Sequence, residues 1–140
     1  MIEHVLVPMD DSPLARRALD FALEAHPEAD LTILHVVDYV EESYGAAMLA
    51  GPEELRDRAT RKAEQLFDDV REHAEDHRGE LQTVTKFGKP ARIITEFTVD
   101  HDVDLVVIGS HGRSLVSRVL LGDVAQDVVQ QASVPVTVVR

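Results

Sequence analysis

The chain has 140 residues, 44% of them hydrophobic, which suits one domain with its own core and argues against disorder. It has no cysteine, which excludes disulfides, iron–sulfur clusters, zinc–thiolate sites and thiol catalysis. The formal net charge is −12, and such a field repels nucleic acid and anionic membranes alike.

"MIEHVLVPMDD" has no basic region and no cleavable apolar stretch, so no signal peptide is expected. No apolar run approaches the roughly 20 residues of a membrane span. The expectation is a soluble, cytoplasmic protein. Only Lys62, Lys86 and Lys89 are lysines, the other bases being arginine. Many acids with few lysines point to a protein that works in high salt, where self-repulsion is screened.

"HVLVPM" (4–9) is a short apolar run rich in branched residues and reads as a buried strand. Ser12 and Pro13 then offer an N-cap and a first helical residue. Leu14, Ala15, Ala18, Leu19 and Ala22 recur at helical spacing behind them. "LTILHVV" (31–37) is a second buried strand, with His35 read as a satisfied core histidine. From Asp38 to Pro52 the pattern breaks into a long, mobile connection. A charged helix follows, with Leu55, Ala59, Ala63, Leu66, Val70 and Ala74 as its stripe and Gly79 as its end. His73 and His77 lie four apart on it and read as a solvated pair rather than a metal site.

"LQTVTKF" (81–87) alternates apolar and polar residues, as a strand near a sheet edge does. Pro90 opens a helix carrying Ile93, Ile94 and Phe97. "DLVVIG" (104–109) is a fully apolar fourth strand. Val124, Ala125, Val128, Val129 and Ala132 form the inner face of a last helix, and "PVTVV" (135–139) is the fifth strand. Strands alternating with helices call for a parallel α/β sheet covered on both faces, in one domain over 1–140.

In such folds ligands bind at the carboxyl ends of strands where the strand order reverses. Two segments stand at strand ends: Asp10-Asp11-Ser12 and the loop "GSHGRSLVSRVLLGD" (109–123). Its glycines let backbone amides approach an anion. Gly122 precedes the last helix, whose dipole and free N–H groups favour phosphate. His111, between Ser110 and Gly112, reads as a loop filler, and no catalytic set has recognisable context. A phospho-signalling receiver would need an acid at the end of the third strand, where this chain has "TKFG". A flavin binder would need a hydroxyl- and glycine-rich loop where "DDSPLA" stands.

The chain resembles a universal stress protein. That family carries Gly-x2-Gly-x9-Gly-(Ser/Thr) after its fourth strand, and Gly109, Gly112 and Gly122 match it. "VPMDDS" (7–12), "HVVD" (35–38) and "PVTVV" (135–139) match further motifs in the right order, so the resemblance spans the chain. It implies a Rossmann-like fold of the adenine-nucleotide α-hydrolase type, five parallel strands in the order 3-2-1-4-5. It implies a non-enzymatic stress-response protein that binds ATP or AMP. Asp10 and Val36 would hold the adenine end, with Gly109 near the ribose. Gly112, Arg113, Gly122, Asp123 and Val124 would hold the phosphates. It also implies a homodimer formed through the C-terminal strand.

One position departs from the pattern. Asp123 stands where the family has a hydroxyl. A carboxylate accepts but does not donate, and it repels phosphate. A bridging Mg²⁺ reverses that sign, because it takes oxygen ligands from both groups. Asp123 is equally explained as the N-cap of the last helix. Binding of a nucleotide with fewer phosphates, and a dimeric interaction protein with no nucleotide, both remain open.

Overall fold

A computed structural model describes residues 1–38, 51–111 and 121–140. The expected mobile connection falls largely outside them. The elements run β1 (His4–Pro8), α1 (Pro13–Ala25), β2 (Asp30–Val37), α2 (Pro52–His73), β3 (Leu81–Phe87), α3 (Pro90–Asp100), β4 (Leu105–Gly109), α4 (Asp123–Gln131) and β5 (Val136–Val139). The strands form one parallel sheet in the order β3-β2-β1-β4-β5.

Strand alternation sends successive side chains to opposite faces. Val5 and Val7 join Leu31, Ile33 and Val107 in a core with Ala18 and Leu19 of α1 and Ala63, Phe67 and Val70 of α2. Leu6 joins Leu34, Val106 and Ile108 in a second core with Ile94 and Phe97 of α3 and Ala125 and Val128 of α4. Because both faces are covered, the central strands read as unbroken apolar runs. β3 is an edge strand, and its residues are half-buried or exposed, as its alternating pattern requires.

The local signals act as expected in α1. The Ser12 side chain accepts from the Ala15 N–H at 3.3 Å, and Pro13 follows it. Two details of α2 differ from expectation. Phe67 is buried in its stripe, while Leu66 beside it is only half-buried. The helix also ends at His73, with Ala74 as its cap. Gly79 serves another purpose: a Cβ there would lie 2.0 Å from the Ala29 carbonyl oxygen, so only glycine lets the two loops meet. The two histidines each reach a partner elsewhere in the fold, while His73 stays exposed. His73 Nε2 bonds to Asp20 Oδ1 on α1, and His77 Nε2 donates to the Ala29 carbonyl at 2.6 Å.

The amino ends of the strands are tied by Asp104. Its Oδ2 accepts from the Glu3 and His4 N–H groups at 2.9 and 3.0 Å. These two amides hold its carboxyl below the usual carboxylate range. His4 Nε2 bonds to Oγ1 of the buried Thr32 at 2.8 Å. That end of the sheet is thereby committed to structure.

Candidate functional site

The opposite end is built differently. β1 and β4 are neighbours in register, Val5 beside Leu105 and Leu6 beside Val106. The helix after β1 packs on one face and the helix after β4 on the other. The chain therefore parts at the carboxyl ends of these strands, which is where an open α/β sheet offers a crevice.

Asp10 stands at the exit of β1, and its Oδ1 accepts from the Ser12 N–H at 2.9 Å. That bond fixes the carboxyl beside the N-cap of α1. The Met9 N–H donates to the Leu34 carbonyl at 2.8 Å, which keeps the β1 exit against β2. His35 Nδ1 donates to the Met9 carbonyl at 2.8 Å, so its ring is satisfied as expected. Val36, next along β2, is half-buried and packs toward the core formed with α3 and α4.

Gly109 ends β4. A Cβ there would lie 2.8 Å from the Leu14 carbonyl carbon and 2.9 Å from its oxygen. The first glycine of the rhythm is thus where the first turn of α1 packs backbone to backbone against β4. Asp10, Ser12, Leu14 and Gly109 consequently form one connected wall.

Ser110 is the junction behind it. Its N–H donates to the Val139 carbonyl of β5 at 2.8 Å, and its carbonyl accepts from the Gly122 N–H at 2.6 Å. The two ends of the glycine loop are pinned to each other at this residue. Gly122 has an extended backbone, φ −72° and ψ 166°, and is the N-cap of α4. A Cβ on it would lie 3.0 Å from the Ser110 oxygen and 3.4 Å from the His111 Cα.

The expectation that Asp123 caps the last helix is corrected here. Gly122 takes the cap position, Asp123 is the first helical residue, and no side chain caps the helix. Gly122 closes the loop with its own N–H, so the amides left without intrahelical acceptors begin at Asp123 and Val124. Both residues are exposed. The Asp123 carboxylate still suits the positive end of the helix dipole. Gly112 and Arg113 lie outside the described residues.

His111 is the residue that reading the sequence undervalued. Its Nδ1 lies 3.2 Å from the Ser110 Oγ, while its Nε2 is closed to solvent and has no hydrogen-bond partner among the described residues. Only its position between two glycines of the motif could have drawn attention to it. Among the described residues no cluster of three or more His, Asp or Glu side chains could hold a metal ion, and no helix is long and apolar enough to cross a membrane.

The model of the universal stress protein family matches residues 1–140. The chain belongs to the universal stress protein family. It is 30% identical to the universal stress protein YxiE of Bacillus subtilis over the whole length of both chains. It is 26% identical to the universal stress protein MJ0577 of Methanocaldococcus jannaschii, covering 100% of this chain and 96% of that one. The solved structure of MJ0577 superposes with a TM-score of 0.88 at 27% identity, over 99% of this chain and 96% of that one. More distant family structures share the fold. They include one in complex with cAMP (TM-score 0.71, 22% identity, covering 99% and 97% of the two chains). Another, from Arabidopsis thaliana, has AMP bound (0.68, 21%, 97% and 90%), and one from Archaeoglobus fulgidus is in complex with dAMP (0.64, 22%, 100% and 98%).

Proposed function

We propose that this universal stress protein binds an adenine nucleotide, ATP or AMP, without catalysis, in a stress response in the cytoplasm. The observation that carries the reading is the junction at Ser110. It holds the first turn of α4, with the amides that lack intrahelical acceptors, at the carboxyl end of β4. Such a helix start favours a phosphate group. Gly122 lets the end of the loop close tightly on Ser110, where a Cβ would lie 3.0 Å from the carbonyl oxygen. Relatives solved with cAMP, AMP and dAMP support an adenine nucleotide as the ligand class.

In this reading Asp10 and Val36 hold the adenine end and Gly109 lies near the ribose. Gly112, Arg113, Gly122, Asp123 and Val124 hold the phosphates, with Mg²⁺ bridging Asp123 to them where a triphosphate binds. The chain works as a homodimer through β5. The net charge of −12 fits work at high salt. A second reading, a dimeric interaction protein that binds no nucleotide, is favoured by one feature, the carboxylate of Asp123 at the helix start.

Calorimetric titration of ATP and AMP in high potassium chloride, with and without Mg²⁺, separates the two. Saturable heat with either nucleotide supports the first reading. No heat with either, under both conditions, supports the second.

A further inference from the structure

We propose that the open edge of β3 accepts an acidic, extended polypeptide segment as an added strand of the sheet. β2 separates β3 from β1, so this edge acts whether or not a nucleotide occupies the crevice.

The backbone supplies the ladder. Among the described residues β3 ends the sheet, and its seven residues make it longer than β5, the opposite edge, with four. The Glu80 carbonyl accepts from the Leu31 N–H, and the Gly88 N–H donates to the Val37 carbonyl. The even-numbered residues of β3 therefore face β2, and the N–H and C=O groups of Leu81, Thr83 and Thr85 point outward. An edge of this kind is a template for a further strand.

Charge decides which strand fits. Acids make up 26 of the 140 residues, yet 81–95 holds none while carrying Lys86, Lys89 and Arg92. Two of the chain's three lysines thus bracket Gly88 at the end of β3. Lys86, Lys89 and Arg92 are exposed, with Arg92 reaching Glu96 at 3.7 Å. On the other face, α2 lays two guanidinium groups against the strand. Arg71 donates to the Thr83 Oγ1 at 3.0 Å while also bonding Asp68, and the Arg56 Cζ stands 4.5 Å from the centre of the Phe87 ring. Bases therefore line both faces of one edge on a chain of formal charge −12.

A second copy of β3 laid on this edge would bring one set of bases against another, which disfavours pairing. Nucleic acid or an anionic membrane would extend past the strand onto the acidic remainder of the surface. A short strand bearing carboxylates meets neither obstacle. Its main-chain hydrogen bonds supply affinity, and its carboxylates select the edge.

The probe is a fluorescent peptide as long as β3 that alternates glutamate and threonine, added to the nucleotide-free wild type. Saturable binding is expected, with the Thr83 and Thr85 amides becoming protected from hydrogen exchange. A lysine–threonine peptide is expected to bind about tenfold more weakly, and the glutamate peptide N-methylated throughout not to bind. Lys86→Glu combined with Lys89→Glu changes only exposed side chains and should reverse the preference between the two peptides. Equal binding of the glutamate and lysine peptides overturns the charge selection. Protection at Val136 and Val138 instead of Thr83 and Thr85 overturns the location. An oligothymidylate that competes as well as the glutamate peptide overturns strand addition, because it has no amides to pair. Absence of binding, or Thr83 and Thr85 protected before any peptide is added, overturns the proposal as a whole.

Discussion

The end of β4 and the first turn of α1 meet without side chains between them: a Cβ on Gly109 would sit 2.8 Å from the Leu14 carbonyl carbon. The neighbour is backbone and cannot swing aside. Gly109→Ala is therefore expected to destabilise the fold by about 1–3 kcal/mol, as overpacking does. Gly122→Ala is expected to cost less, because its φ of −72° suits any residue and its nearest neighbour would be the Ser110 oxygen at 3.0 Å. Urea midpoints of the two variants check the ranking.

Asp123 is the first residue of α4 and is exposed. Its repulsion of a phosphate charge about 4 Å away is accordingly nearer the water limit, about 1 kcal/mol, than the about 4 kcal/mol of a partly buried pair. Asp123→Ser should strengthen ATP binding about fivefold without Mg²⁺, measured by calorimetry. It should also lower stability by about 0.3–1 kcal/mol, since a carboxylate leaves the helix start. Weaker ATP binding by the variant in Mg²⁺ would identify Asp123 as a partner of the metal.

Asp104 predicts a pH dependence far from the crevice. The Glu3 and His4 amides depress its folded pKa below the ordinary value of about 3.9. The stability it contributes is fully present above that ordinary value and is lost as pH falls through the lower, folded one. Asp104→Asn should melt below the wild type at neutral pH, and the two melting curves should converge on strong acidification. A gap that persists unchanged through the acid range would contradict this assignment.

β5 is an edge strand. The Pro135 and Val139 carbonyls accept from Val106 and Ser110 on the β4 side. The backbone groups of the alternate residues, Val136 and Val138, therefore face the open edge. Proline is tolerated on an edge but cannot donate. Sedimentation of the wild type as a dimer and of Val138→Pro as a monomer is the expected outcome. A wild-type monomer would remove β5 pairing from the proposed function.

Much of this architecture was legible beforehand because local and global signals agree. Ser12 and Pro13 start a helix by their own chemistry, and the apolar runs at β1, β2 and β4 are strands buried on both faces. The strand order came from the resemblance, since periodicity alone does not choose neighbours. What escaped depended on tertiary approach. Gly79 looks like a helix stop but is a meeting point of loops, and Phe67 lies one residue from the stripe that spacing suggested. The partners of His73 and His77, Asp20 and Ala29, were not legible because they are remote in sequence. At the site, the glycine spacing gave the loop its ends. The cap at Gly122 rather than Asp123, and the orphaned nitrogen of His111, are set by how those ends close on Ser110.

The proposed function puts an adenine nucleotide at the carboxyl end of the sheet, between β1 and β4. Titrating the ¹⁵N-labelled chain with AMP in high potassium chloride and following its backbone amides tests this most directly. The amides of Asp10, Val36, Gly109, Ser110, His111, Asp123 and Val124 should move together and saturate, while those of His4, Thr32 and Asp104 at the opposite end stay in place. Amides at the crevice that remain still at saturating AMP, or shifts gathered instead around His4 and Asp104, would contradict it.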